Sequence, residues 1–213
     1  MKKIVFLCAA ASLGIAAFSQ EGAKPDALKL YQAGNFVQSI AVCEQEIVEN
    51  PRNLDSYVVL CWSLIGNRQY AEAEQRGARA RTLSWYDHRI VEALAEAKYY
   101  LGKNSESLAL FHEYVPLIPN IGISRNRMDQ AYYFMGQLYI RQARYEHADI
   151  ALSQAVQIDA TVPDYWTRLG YAREMAQNYD IALEAYNKAL ALNPVFTNAV
   201  RGKERCLARI SSR

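Results

Sequence analysis

Glycine and proline are scarce, at 10 and 6 of 213 residues. An all-β chain would need many more tight turns, so that class is disfavoured. No apolar run is long enough for a membrane-spanning helix, which takes about 20 residues. Metal-binding and catalytic signatures are missing too. His88, His112 and His147 are scattered outside any HExxH spacing, and none of the cysteines forms a CxxC. There is no GxSxG, no phosphate-cradling glycine loop and no Asp-rich calcium loop, so neither catalysis nor a cofactor is expected. Carboxylate pairs such as Glu46/Glu49 and Glu92/Glu96 are helical neighbours and read as surface charge.

What is present begins with a leader. Lys2 and Lys3 precede an apolar run from Ile4 to Ala17, and small residues at Ala17 and Ser19 suit a cut before Gln20. This pattern predicts a secretory signal peptide over 1–19, export and a periplasmic, bacterial location. Cys8 lies too early for a lipid-attachment cysteine. Of 24 Lys and Arg, Lys2 and Lys3 fall in the leader, leaving 22 against 22 Asp and Glu. A neutral mature chain lacks the basic footprint of a nucleic-acid binder. Cys43, Cys61 and Cys206 remain after the cut. They read as small buried side chains, with a Cys43–Cys61 disulfide as the alternative in an oxidising compartment.

The strongest signal is internal repetition. Trp166, Leu169 and Gly170 are followed by Ala182, Tyr186, Ala189 and Pro194. Stepping back 34 residues from Trp166, Gly170, Ala182 and Ala189 reaches Tyr132, Gly136, Ala148 and Ala155. Phe36 and Tyr70 are again 34 apart, whereas Tyr70 to Tyr145 is 75; Pro51 to Pro119 is 68 and Pro119 to Pro194 is 75. Aromatics and prolines thus give one period and a single insertion of seven residues. This pattern resembles the tetratricopeptide repeat, with Arg173 standing where that pattern has Tyr.

The resemblance implies an all-α, right-handed α-solenoid of five helix hairpins at 20–53, 54–87, 88–121, 129–162 and 163–196, with 122–128 inserted. The segment 197–213 is expected to be a solvating cap helix whose apolar stripe is Val200, Leu207 and Ile210. The insert, with Arg125 and Arg127, is expected to form a longer loop between hairpins or a contact loop. The first and third units are the weakest, with Asp26, Ser39 and Glu46 in one and Ser107 and Tyr114 in the other departing from the pattern.

Members of this family typically bind a partner segment in the groove formed by their first helices. Counted along the frame, Leu28, Tyr31, Trp62, Ile65, Tyr99, Tyr100, Tyr133, Phe134 and Tyr171 fall on groove positions. Glu92, Glu96, Gln137, Arg141, Arg168 and Glu174 are interspersed among them. Trp62, Tyr99, Tyr100, Tyr133, Phe134, Arg141, Arg168 and Tyr171 are the candidate partner-binding residues, since buried aromatics and arginines make recognition anchors. Trimming Trp62 or Tyr133 is expected to weaken capture and leave stability nearly intact. One variant of the family grips a carboxylate with Lys and Asn at set positions. Leu28 and Trp62 stand in the places of the asparagines, so that activity is not expected. The reading is a non-enzymatic scaffold docking a peptide or helix of another envelope protein, with association with a membrane complex left open. The alternative is a binding protein for a small apolar ligand.

Overall fold

The structure is a computed structural model that describes residues 25–118 and 127–212. The expected signal peptide and residues 122–126 of the insert lie outside the described residues. The described residues form eleven helices and no strand. Five hairpins follow one another: α1 (Ala27–Gln32) with α2 (Phe36–Glu49), α3 (Leu54–Gly66) with α4 (Tyr70–Leu83), and α5 (His88–Tyr100) with α6 (Asn104–Leu117). After the insert come α7 (Met128–Arg141) with α8 (Tyr145–Ile158), α9 (Pro163–Met175) with α10 (Tyr179–Leu192), and a final helix α11 (Thr197–Ser211).

The second helices start at Phe36, Tyr70, Asn104, Tyr145 and Tyr179, which are 34, 34, 41 and 34 residues apart. The turns inside the hairpins keep the same step. Gly34, Arg68, Gly102, Ala143 and Gln177 all have positive φ, between 54° and 77°. Each closes its first helix with the same two backbone bonds. In the fourth hairpin, Ala143 N–H donates to the Ile140 carbonyl and Arg144 N–H to the Tyr139 carbonyl. Glycine relieves the left-handed conformation at only two of the five turns.

Close approach of the paired helices comes from small residues. Ala73, Ala148 and Ala182 occupy one register and are almost wholly buried. Ser39 and Ser107 hold that register in the two weak units, and their hydroxyls are satisfied by the Ala27 and Ala95 carbonyls at 2.8 and 2.7 Å. Serine therefore substitutes for alanine without leaving a buried donor unpaired. The other departures are accommodated as well. Asp26 caps α1 by accepting from Lys29 N–H at 3.1 Å, and Glu46 accepts from Ser56 Oγ at 2.6 Å. Tyr114 fills with a ring the register that Ala80, Ala155 and Ala189 fill with a methyl. This enlargement lies on the helix just before the insert.

The last helix differs from expectation. Its buried face is Ala199, Gly202 and Cys206, whereas Leu207 is exposed. The reason is Tyr186, whose buried ring occupies the space above both Gly170 and Gly202; a Cβ at Gly202 would lie 2.2 Å from the ring. Small residues must face that ring, so Leu207 turns outward and Val200 and Ile210 are only half-buried. Cys43, Cys61 and Cys206 are free and buried, so the disulfide alternative is not realised in this structure. Burial raises the Cys43 and Cys61 thiols to about 12.

The turn geometry gives a stability prediction. A non-glycine residue in the left-handed region costs about 1–2 kcal/mol, and glycine's extra freedom in the unfolded chain takes back about 0.4–1. Ala143→Gly is therefore expected to raise the unfolding free energy by about 0.5–1 kcal/mol. Urea denaturation checks this, and an unchanged or lowered midpoint would contradict the turn conformation.

Candidate binding groove

Because successive first helices lie side by side, residues at one register form a row across the array. Trp62, Glu96, Gln137, Tyr171 and Arg205 make one row, at steps of 34, 41, 34 and 34. Val58, Glu92, Tyr133, Thr167 and Arg201 make a second, at the same steps.

At the N-terminal side, Trp62 lies 5.8 Å from the Tyr31 ring, and its indole Nε1 donates to Glu92 at 3.2 Å. Glu92 and Glu96 are 2% and 5% exposed, which overturns their assignment as surface charge. What holds them there is Arg127, the last residue of the insert before α7. Its Nη1 lies 2.9 Å from Glu92 and its Nη2 2.8 Å from Glu96, while its Nε donates to Gln130 at 2.9 Å. Arg127 adopts a left-handed backbone, with φ 47°, as it enters the helix. Two buried carboxylates thus share one guanidinium, and burial pushes the Glu92 carboxyl up to about 7, with Arg127 opposing and Glu96 adding to the rise.

The middle of the array is a ring cluster. Tyr99 packs 4.8 Å from Phe134, Phe134 stacks on Phe111, and Tyr100 stacks on Tyr70 at 4.5 Å. Arg141 lies over the Tyr99 ring at 3.9 Å and donates to Asn104 at 2.9 Å. Tyr133 stacks on Tyr165, donates its hydroxyl to Asp164 and accepts from Gln137 at 2.8 Å. Farther on, Tyr171 and Arg168 face α11 across a cavity.

The candidate residues therefore divide. Trp62, Tyr99, Tyr133, Arg168 and Tyr171 are half-buried, whereas Tyr100 and Arg141 are exposed. Phe134 and Ile65 are buried and unavailable to a partner, because their rows turn into the seams between hairpins. Trp62 and Tyr133 are knitted into polar networks, so trimming either also removes a hydrogen bond to a carboxylate and is expected to cost stability. Arg127 and the arginines of α11 were not among the candidates. Carrying the 34-residue step once more, from Thr167 and Tyr171, would have found Arg201 and Arg205. Arg127 is singled out in the sequence only as part of the insert, and no pattern pairs it with Glu92 and Glu96.

Residues 129–161 and 163–196 match the tetratricopeptide repeat family. The last two hairpins are tetratricopeptide repeats, and the described residues share the fold of solved tetratricopeptide-repeat proteins. Its structure is similar to that of YrrB, described as a tetratricopeptide-repeat protein with an unusual peptide-binding site (TM-score 0.68, 14% identity, covering 80% of this chain and 84% of that one). It is also similar to MamA (0.64, 17%, 79% and 88%) and to a thermophilic tetratricopeptide-repeat protein of Thermus thermophilus (0.62, 18%, 85% and 95%). No curated protein sequence matches the chain.

The buried acid predicts a pH effect. A carboxyl that titrates higher in the fold than its ordinary 4.5 keeps a proton in the folded state between 4.5 and about 7. Its contribution to stability is thus lost as pH rises through that window. His88, which burial holds below 6.5, acts the opposite way, so the variant must be compared with the parent. From pH 4.5 to 7.5, the stability of Glu92→Gln relative to the parent is expected to rise by about 1–3 kcal/mol. A difference that stays constant with pH would rule out a titrating Glu92.

Proposed function

We propose that this protein is an exported, non-enzymatic scaffold of a bacterial cell envelope, whose groove docks a peptide or helix of another envelope protein. Export rests on the sequence of 1–19, where a basic start, a short apolar run and small residues before Gln20 coincide. The observation that carries the docking role is the continuity of the groove rows. Half-buried Trp62, Tyr99, Tyr133 and Tyr171 recur along consecutive first helices, each offering apolar area and a polar edge. Such preformed aromatic surfaces bind with little ordering cost. A peptide-binding role described for the similar YrrB supports the same reading.

One observation favours a second reading. Between α1 and α3, Leu28, Val58, Val59 and Trp62 line an open cleft of about 650 Å³, large enough for a small apolar ligand. Native mass spectrometry separates the two, since a copurified small molecule lost in Trp62→Ala would replace the peptide with that ligand.

Crosslinking in the native envelope tests the docking role. Trp62→Ala and Tyr99→Ala are expected to reduce partner recovery at least about tenfold, the loss of roughly one anchor's 1.4 kcal/mol. Trp85→Ala, which changes an exposed aromatic on the α4–α5 loop, is expected to leave recovery unchanged. Equal loss in all three, or none in the groove variants, would sink the groove reading. Circular dichroism of each variant separates unfolding from lost contact.

A further inference from the structure

The groove does not stop at the fifth hairpin. Its two rows continue onto α11 as Arg201 and Arg205, which, with Arg168, Tyr171 and Asn198, line a cavity of about 260 Å³. Three guanidiniums converge there, and their partners are unequally distributed. Arg205 is fully engaged, its Nε and Nη2 donating to Glu174 at 2.6 and 2.7 Å. Among the described residues Arg168 is ion-paired with Asp164 alone, its Nε 3.7 Å from Oδ1 and beyond hydrogen-bond reach, while the other Asp164 oxygen accepts the Tyr133 hydroxyl. The Arg168 Nε is buried and bonds to nothing, the one side-chain nitrogen or oxygen in that condition among the described residues.

Arg201 is exposed, early in α11, and forms no ion pair among the described residues. The first turn of that helix carries no acidic residue. The carboxylates paired with these arginines, Asp164 and Glu174, both come from α9, two acids for three guanidiniums. At the other end of the groove Arg127 is already taken up by Glu92 and Glu96.

We propose that this cavity is a carboxylate subsite, in which an acidic side chain of the docked partner segment lies between Arg168 and Arg201 and accepts from their guanidinium N–H groups. The inference rests on the groove reading and adds a direction to it. The partner's acidic residue lies toward α11, away from Glu92 and Glu96. A carboxylate suits the site because guanidinium donors pair with it through short, charge-assisted hydrogen bonds.

The test uses arginine Nε–H signals of the isotope-labelled protein, followed by NMR. N-acetylglutamate amide is the probe, N-acetylglutamine amide its neutral twin, and inorganic phosphate the free anion. The Arg168 signal is expected to shift saturably with the glutamate probe and at least tenfold more weakly with the glutamine one. Arg201→Gln, at an exposed position, is expected to weaken the glutamate response at least fivefold, whereas Trp85→Ala, on the α4–α5 loop, leaves it unchanged. No shift at Arg168, equal response to glutamine, indifference to Arg201→Gln, or preference for phosphate over the glutamate probe would each overturn the proposal. The blocked amino acid needs no partner protein, so failure here is distinct from failure of the groove crosslinking.

Discussion

The structure depends on two helices of a hairpin approaching closely enough for backbone to face backbone. Ala73, Ala148 and Ala182, with Ser39 and Ser107 in the weak units, keep one register free of bulk, and each neighbouring hairpin then seats large side chains against it. A lone hairpin cannot bury its apolar face, so this contact must recur for the chain to fold at all. Recurrence has a geometric consequence. Equal hairpins at equal steps place the first helices side by side, and residues more than a hundred positions apart come to share one surface.

That surface is not uniform in charge. Taking Glu92 and Glu96 out of water is costly, and a single guanidinium compensates them only because its geometry serves both at 2.9 and 2.8 Å. The residue that supplies it, Arg127, sits at the end of the one insertion that breaks the period. The irregular step and the buried acids thus meet at one residue. At the far end, Glu174 ties down Arg205 and the Tyr186 hydroxyl together, leaving Arg168 and Arg201 less well matched. Packing residues explain why the chain shares its fold with proteins that are 14–18% identical. Groove residues are free of that constraint, and so binding preference is a property of each groove rather than of the fold.

Much of the architecture was legible because its cause is local and repeated. Tyr70 to Tyr145, like Pro119 to Pro194, already displayed the period and the seven-residue break. The groove was legible in outline, since register alone places Trp62, Tyr133 and Tyr171 on one face. It was less legible in detail. Phe134 and Ile65 occupy registers beside the groove but turn into the seams, where the neighbouring hairpin decides their exposure. Glu92 and Glu96 read as solvated neighbours on one helix because their partner lies more than thirty residues away.

By itself, the sequence determined the helical period, the number of hairpins it can supply and the small residues that let them nest, because these follow from spacing along one chain. Only the tertiary structure decided which groove residues remain open, which acids are buried, and that the last helix turns Ala199, Gly202 and Cys206 inward beneath Tyr186. Those outcomes depend on what a neighbouring hairpin leaves uncovered, and exposure and charge pairing between distant segments carry no mark in local periodicity.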